Sequence, residues 1–278
     1  MGLAQAMATV RNEEAKEYFS EASKNYYEKH YQDINSKTWY PSLYLRHLYT
    51  LDMIDVPVEN HGLALDIGCG SGAMVRDLLS LGFNVFASDI SPGMLEATKE
   101  TIKEHPRKDF VVFDEEDIED MSYPDNSFDV IVCLGVIEYL QNDRNAFKEI
   151  ARVLKPGGIA LVSSQNKASF IRFFEEAALT ILPSSIKSKL FTLQQHKCHV
   201  PWRLDKQLLK VGLKKEDTAY HHFYPVPIPF DRISKRFCVW AGKKMERYSR
   251  SKYGWMISTG FVTKYRKITK GDSQNQRS

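Results

Sequence analysis

Three acidic side chains stand at the C-terminal ends of β-branched runs, where they could do chemistry: Asp66, Asp89 and Asp117. Asp66 lies in Leu63-Ala64-Leu65-Asp66-Ile67, which runs straight into Gly68-Cys69-Gly70-Ser71-Gly72. Glycines let a backbone turn tightly and approach a ligand closely, and the N-terminus of the helix that follows offers unpaired N–H groups. Gly68, Gly70 and Ala73 would also pass a loose dinucleotide fingerprint. Asp66 separates the two readings. A carboxylate two residues before the first glycine repels a pyrophosphate but suits a ligand bearing an ammonium and a sulfonium. The structural alternative is an Asp that caps the helix or bonds loop amides. Asp89 follows Gly72 by 17 residues, where a carboxylate can accept hydrogen bonds from both ribose hydroxyls. Its alternative role is N-cap of the helix opening near Ser91-Pro92. Asp117 could accept from an adenine amino group, with the Ile118 amide facing a ring nitrogen. Taken alone, one acid of Asp114-Glu115-Glu116-Asp117 is a solvated loop residue.

The elements that must hold these residues follow from periodicity. Strands are expected at 63–67, 83–88, 110–113, 128–134 and 158–164, with helices at 71–81, 91–104 and 141–154. Short β-branched runs alternating with amphipathic helices define a parallel sheet covered on both faces. Ahead of them, residues 10–33 carry Ala15, Tyr18, Phe19, Ala22 and Tyr26 at helical spacing, and Pro41–Ile54 places Leu45, Leu48, Leu51 and Ile54 on one stripe. A helical N-terminal cap over 1–58 is therefore expected, followed by one α/β domain over 59–278. The alternation breaks after Ser164. It resumes with a helix from Leu204 closed by Gly212, a sixth strand at 216–223 and a last strand at Ile257–Lys264. Two amphipathic insertions remain: a lid over 168–202, and a basic helix over 228–252 reached through Pro225, Pro227 and Pro229.

These motifs resemble the class I S-adenosylmethionine-dependent methyltransferases, over roughly residues 60–165. LDIGCGSG (65–72) is similar to their first motif and SDIS (88–91) to their ribose-binding acid. DIEDMSYPDNSFDVIV (117–132) is similar to their adenine motif and fourth strand, and RVLKPGGIALVS (152–163) to their next loop and strand. The resemblance implies a Rossmann-like α/β fold, a seven-stranded mostly parallel sheet with an antiparallel last strand, and S-adenosylmethionine as cofactor. It places Asp66, Gly68, Cys69 and Gly70 around the methionine part, Asp89 at the ribose with Ile90 and Met94 beside it, Asp117 and Ile118 at the adenine, and Leu134 beside the sulfonium. Phe19-x-x-x-Ser23-x-x-Tyr26 resembles the N-terminal helix of ubiquinone-type and related small-molecule methyltransferases, which makes Tyr26 a candidate active-site wall.

Methyl transfer from a sulfonium is an in-line displacement, so alignment and exclusion of water carry much of it, and a base is required only for a hydroxyl acceptor. The candidate bases are His196, His199, His221 and His222, all beyond the fifth strand. The run Leu134-Gly135-Val136-Ile137-Glu138-Tyr139-Leu140 lacks the Asn/Asp-Pro-Pro-aromatic signature of nucleic-acid amino methylation. It has Tyr139 where ubiquinone-type enzymes carry His. No metal is therefore expected, and Glu138 is read as the start of a helix.

Composition bounds the partners. Apolar residues make up 43% of the 278 and charged residues 26%, as in a globular protein. Four scattered cysteines without a C-x-x-C pair fit a reducing cytosol, and no apolar stretch reaches the ~20 residues that cross a bilayer. Net charge is +3, yet residues 231–252 alone hold eight Lys or Arg against two acids. The expected function is methyl transfer to a small lipophilic or aromatic metabolite, at oxygen ahead of carbon or nitrogen. Peripheral contact of the cytoplasmic protein with an anionic membrane goes with it. The competing readings are an RNA or protein methyltransferase docking through the basic helix, and a non-catalytic cofactor-binding relative. Nucleic acid is disfavoured, because the basic run is one helix with an apolar face and not a broad patch with aromatic platforms.

Overall fold

The computed structural model of the protein describes residues 16–17, 20, 31, 41–55, 62–140, 142–181, 197–223 and 234–269. After helix α1 (Ser42–Asp52) come β1 (Leu63–Ile67), α2 (Ala73–Ser80), β2 (Asn84–Ser88), α3 (Pro92–Ile102) and β3 (Val111–Asp114). They are followed by β4 (Phe128–Leu134), α4 (Asp143–Val153), β5 (Leu154–Asn166) and α5 (Phe170–Ile181). The chain closes with β6 (Cys198–His199), α6 (Pro201–Lys210), β7 (Leu213–Phe223), α7 (Lys235–Met245), α8 (Gly254–Ile257) and β8 (Ser258–Lys267).

The sheet runs β3-β2-β1-β4-β5-β8-β7. Strands β1 to β5 pair in parallel, and β8 slots antiparallel between β5 and β7. The central strands are buried on both faces, which is why they read as near-continuous apolar runs. One core packs Leu65, Ile131, Ala160 and Phe261 against α4 and α6 through Phe147, Ile150, Leu204 and Leu208. The other packs Ala64, Val85, Val130 and Leu161 against α2 and α3 through Val75, Leu78, Leu79 and Ile102, with Met53 just past α1. The chain leaves β1 toward β3 and returns to β4 on the other side of β1. That reversal opens a crevice at the carboxyl ends of β1 and β4, the place where open α/β sheets bind ligands.

The mostly parallel Rossmann-like sheet with an antiparallel last strand is as expected, but it has eight strands and not seven. The added one, β6, pairs only Gln165↔Cys198 and Asn166↔His199, too short to leave a periodic signal. The leucine stripe expected on α1 is not its buried face. On α1 the buried side chains are His47 and Thr50, while Leu48 of the leucine stripe is exposed. On α5, Phe170, Phe173 and Phe174 are exposed, and Arg172 turns inward to donate to the Gln165 Oε1. On α7, Cys238, Val239 and Gly242 are buried, whereas Phe237 and Trp240 face solvent. Of the expected lid, 182–196 lies outside the described residues, as does the proline arm at 224–233.

Candidate functional site

A cavity of about 260 Å³ opens at the crevice, lined from β1 by Asp66 and Ile67 and from the glycine turn by Gly68, Cys69 and Gly70. Asp89, Ile90 and Met94 line it beyond β2, Glu116, Asp117 and Ile118 beyond β3, and Leu134, Gly135 and Val136 at the tip of β4. The sequence-predicted cofactor residues therefore meet in one place.

Each acid is held differently. Asp89 accepts from the Gly70 N–H at 3.0 Å and the Ser91 N–H at 2.9 Å, so it ties the two cavity-lining loops together. The N-cap of α3 is Ser91, whose Oγ accepts from the Met94 N–H at 3.4 Å. Burial pushes the Asp89 carboxyl up against the opposing effect of these two amides. Asp117 accepts from the Glu119 N–H at 2.9 Å, fixing its loop in an Asx turn. That loop is clamped from α4 by Arg152, which donates to the Tyr123 carbonyl at 2.6 Å and the Met121 carbonyl at 2.8 Å.

Asp66 is only 3% exposed, and its Oδ2 has no hydrogen-bond partner among the described residues. Burial, reinforced by the Asp89 charge and only partly offset by Arg46, pushes its carboxyl up to about 8. Arg46 lines the same cavity from α1, and its Nε is likewise buried and unpartnered. An orphaned carboxylate oxygen and an orphaned guanidinium N–H on one cavity are the complement of a ligand carrying both an ammonium and a carboxylate. Asp66 neither caps α2, whose N-cap is Gly72, nor receives a loop amide.

The histidines fall elsewhere. His199 is buried in a chain linking Ser164 Oγ to Nδ1 at 2.6 Å and Nε2 to Asp143 Oδ2 at 2.7 Å. Burial pushes Asp143 up, but His199 and Lys197 outweigh it and hold its carboxyl at about 2. This chain pins β6 to β5 and α4, and His199 does not line the cavity. His222 does not line it either; its Nδ1 meets Thr259 Oγ1 at 2.9 Å, and burial followed by Arg172 lowers it to about 4. His221 lies across Gly260, where a Cβ would come within 2.4 Å of its ring. It is buried with neither ring nitrogen in a well-formed hydrogen bond. His196 and Tyr26 lie outside the described residues. Among the described residues no group of three or more His, Cys, Asp or Glu is placed to hold a metal ion.

The cavity also takes in Arg46, His47, Glu138 and Gln165, which sequence reasoning did not assign. His47 is held by Asp77 at 2.6 Å and meets the Tyr31 ring edge-on at 5.7 Å. The available signal was a charged and a polar residue embedded in the apolar run of α1.

Comparison with known proteins agrees with this architecture. Residues 65–162 match the family profile described as a methyltransferase domain. The ubiquinone biosynthesis O-methyltransferase of Rickettsia bellii (strain OSU 85-389) is 34% identical over 108 residues, 37% of this chain and 42% of that one. The demethylmenaquinone methyltransferase of Symbiobacterium thermophilum is 34% identical over 114 residues, 39% and 45% of the two chains. The chain thus spans under half the length of these curated relatives. In fold it is similar to the magnesium protoporphyrin IX methyltransferase of Synechocystis PCC 6803 with bound S-adenosylhomocysteine, with a TM-score of 0.61, 15% identity, and coverage of 92% and 99%. A Haloferax volcanii methyltransferase complexed with the Trm112 activator gives a TM-score of 0.59 at 18% identity, covering 90% and 98%. Residues 65–162 are thus similar in sequence to methyltransferase domains, and the chain shares the fold of solved methyltransferase structures. Its sequence similarity runs to methyltransferases named for quinone biosynthesis.

A carboxyl raised in the folded state opposes folding once pH exceeds its unfolded value near 4, and the penalty grows until about pH 8. Asp66→Asn is therefore expected to stabilise the ligand-free protein, with a larger rise in urea midpoint at pH 8 than at pH 5. An equal or negative change at both pH values would remove the buried-charge account.

Proposed function

We propose that the protein binds S-adenosylmethionine in the 260 Å³ cavity and transfers its methyl group to a hydroxyl of a small lipophilic or aromatic acceptor. The observation that carries the reading is the unpartnered Asp66–Arg46 pair beside the glycine turn, with Asp89 and Asp117 on the next two loops. Asp66 and Arg46 would hold the ammonium and carboxylate of the methionine part, Asp89 the ribose hydroxyls, and Asp117 and the Ile118 amide the adenine. The bound cofactor supplies an electrophilic methyl group on a sulfonium. The chain's own part is to orient and to keep water out: Leu134 and Val136 give the cavity an apolar wall at the β4 tip. The similarity to an O-methyltransferase of ubiquinone biosynthesis favours oxygen as acceptor atom, and the similarity to demethylmenaquinone methyltransferase keeps carbon as the alternative.

The exposed aromatics suggest where such an acceptor is met. Phe237 and Trp240 on α7 contact each other at 6.0 Å between ring centroids and are 52% and 59% exposed. Lys235, Arg236, Lys244 and Arg247 are exposed around them. Aromatic rings among cations suit the headgroup region of an anionic leaflet, where each Lys or Arg contributes about 1 kcal/mol. We infer peripheral membrane contact through this helix. Among the described residues no helix is long and apolar enough to span a bilayer.

Calorimetry is expected to show binding of S-adenosylmethionine and S-adenosylhomocysteine and none of NAD, with Asp89→Ala weakening it by about 1.5–3 kcal/mol, the range for hydrogen bonds to a charged group. NAD binding in their place would overturn the reading. Vesicles containing phosphatidylserine are expected to pellet the protein at low salt and release it at high salt, and the doubly substituted Phe237→Ser, Trp240→Ser protein is expected to stay in solution. Equal, negligible pelleting of wild type on anionic and neutral vesicles would end the membrane proposal.

A further inference from the structure

Beside Asp66, Asp89 and Asp117, the cavity is lined by two carboxyls that the binding scheme leaves without a task, Glu116 on the loop beyond β3 and Glu138. Glu138 lines it just beyond the tip of β4 and is 5% exposed, so a charge there is nearly without water. Its position is fixed from several sides. The Lys197 N–H donates to its backbone carbonyl at 2.8 Å, and its side chain hydrogen-bonds Gln165, which also lines the cavity and accepts in turn from Arg172. The groups that face its carboxyl are Arg46 of α1, Gln165 of β5, Arg172 of α5 and His199 of β6. Burial pushes the carboxyl up, and the two arginines with Gln165 hold it only partly back, which makes it a better proton acceptor than a solvated glutamate. Arg172 keeps a buried, unpartnered Nε, so the cluster has a hydrogen-bond donor beyond the Arg46 Nε that the cofactor carboxylate would take. None of the candidate histidines in the described residues lines the cavity.

We propose that Glu138 is the general base of the reaction, taking the proton of an acidic acceptor hydroxyl of the phenol or catechol class. The acceptor O–H bond breaks, the proton passes to a Glu138 carboxylate oxygen, and the electron pair remaining on the acceptor oxygen is the one that forms the bond to the methyl carbon. Gln165 is a positioning residue: it holds the carboxylate toward the cavity and is itself held by Arg172. The proposal rests on the methyl-transfer reading above and adds the residue, the acceptor class and the fate of the proton.

The test uses the whole protein, S-adenosylmethionine bearing a deuterated methyl group, and as acceptors catechol together with a small-molecule extract of the source cells. Wild type is expected to label a hydroxyl oxygen. Glu138→Gln, which keeps size and polarity, is expected to lower kcat about 10²–10⁴-fold. Cofactor affinity by calorimetry should stay unchanged, and Glu138→Asp should recover part of the rate. For wild type, kcat is expected to rise with pH along a single-proton limb above the ordinary glutamate range and then level off, a readout that does not depend on how the variants fold. An unchanged rate in Glu138→Gln, a flat wild-type profile from pH 5 to pH 9, or label found only on carbon or nitrogen would each overturn the proposal and leave methyl transfer standing. Cofactor binding without labelling of any small molecule would instead remove the methyl-transfer reading, and this proposal with it.

Discussion

The site depends on a carboxyl group buried before its partner arrives. Asp66 sits in the last turn of a strand whose neighbours on the same face are Ala64 and Val132, and the sheet that positions it is the same sheet that strips it of water. Desolvation of this kind costs several kcal/mol unless a cation or hydrogen bonds answer it. Arg46 answers in part, the backbone does not, and Asp89 adds a like charge. The folded chain therefore keeps Asp66 as a buried acid with an unanswered oxygen at the mouth of its glycine turn, and a ligand with an ammonium group would favour its ionised form.

The remaining architecture serves the same site. The reversal of strand order between β1 and β4 opens the crevice, and Asp89 ties the glycine turn to the loop after β2. Arg152 fixes the loop that carries Asp117. Helix α1 closes the cavity with Arg46 and is itself tethered across the molecule, Asp55 pairing with Lys264 at 2.5 Å and Tyr49 donating to Glu246 at 2.5 Å. Its contribution depends on long-range contacts with β8 and the segment after α7, so it has no counterpart in any local motif.

That distinction decides what was legible in the sequence. Strands β1, β4 and β5 were readable because burial on both faces writes a near-continuous apolar run, β2 and the edge strand β3 from their short β-branched and aromatic runs, and the glycine turn because few residues other than glycine suit its backbone. Asp66 and Asp89 were readable because each closes or directly follows such a run, and Asp117, three residues beyond β3, only through the motif it opens. Helix orientation was not: amphipathicity says that α1, α5 and α7 have two faces, but not which one meets the sheet. On α5 and α7 the large aromatics face outward while Arg172, Cys238 and Val239 turn in, so side-chain size does not decide the buried face. His199 looked like a catalytic candidate by type and position, yet its two nitrogens are spent on Ser164 and Asp143. Glu138 and Gln165 come together only when β5 extends past the tip of β4, a register no local pattern encodes.

The central claim, that Asp66 is a carboxyl protonated in the free protein and ionised against a bound ammonium, is tested most directly by counting protons. S-adenosylhomocysteine binding would be followed calorimetrically at pH 7 in buffers of different ionisation enthalpy. With Asp66 raised to about 8 in the free protein, the account predicts net release of most of one proton on binding, lost in Asp66→Asn. Binding with no proton release in the wild type, or with the same release in the variant, would contradict it.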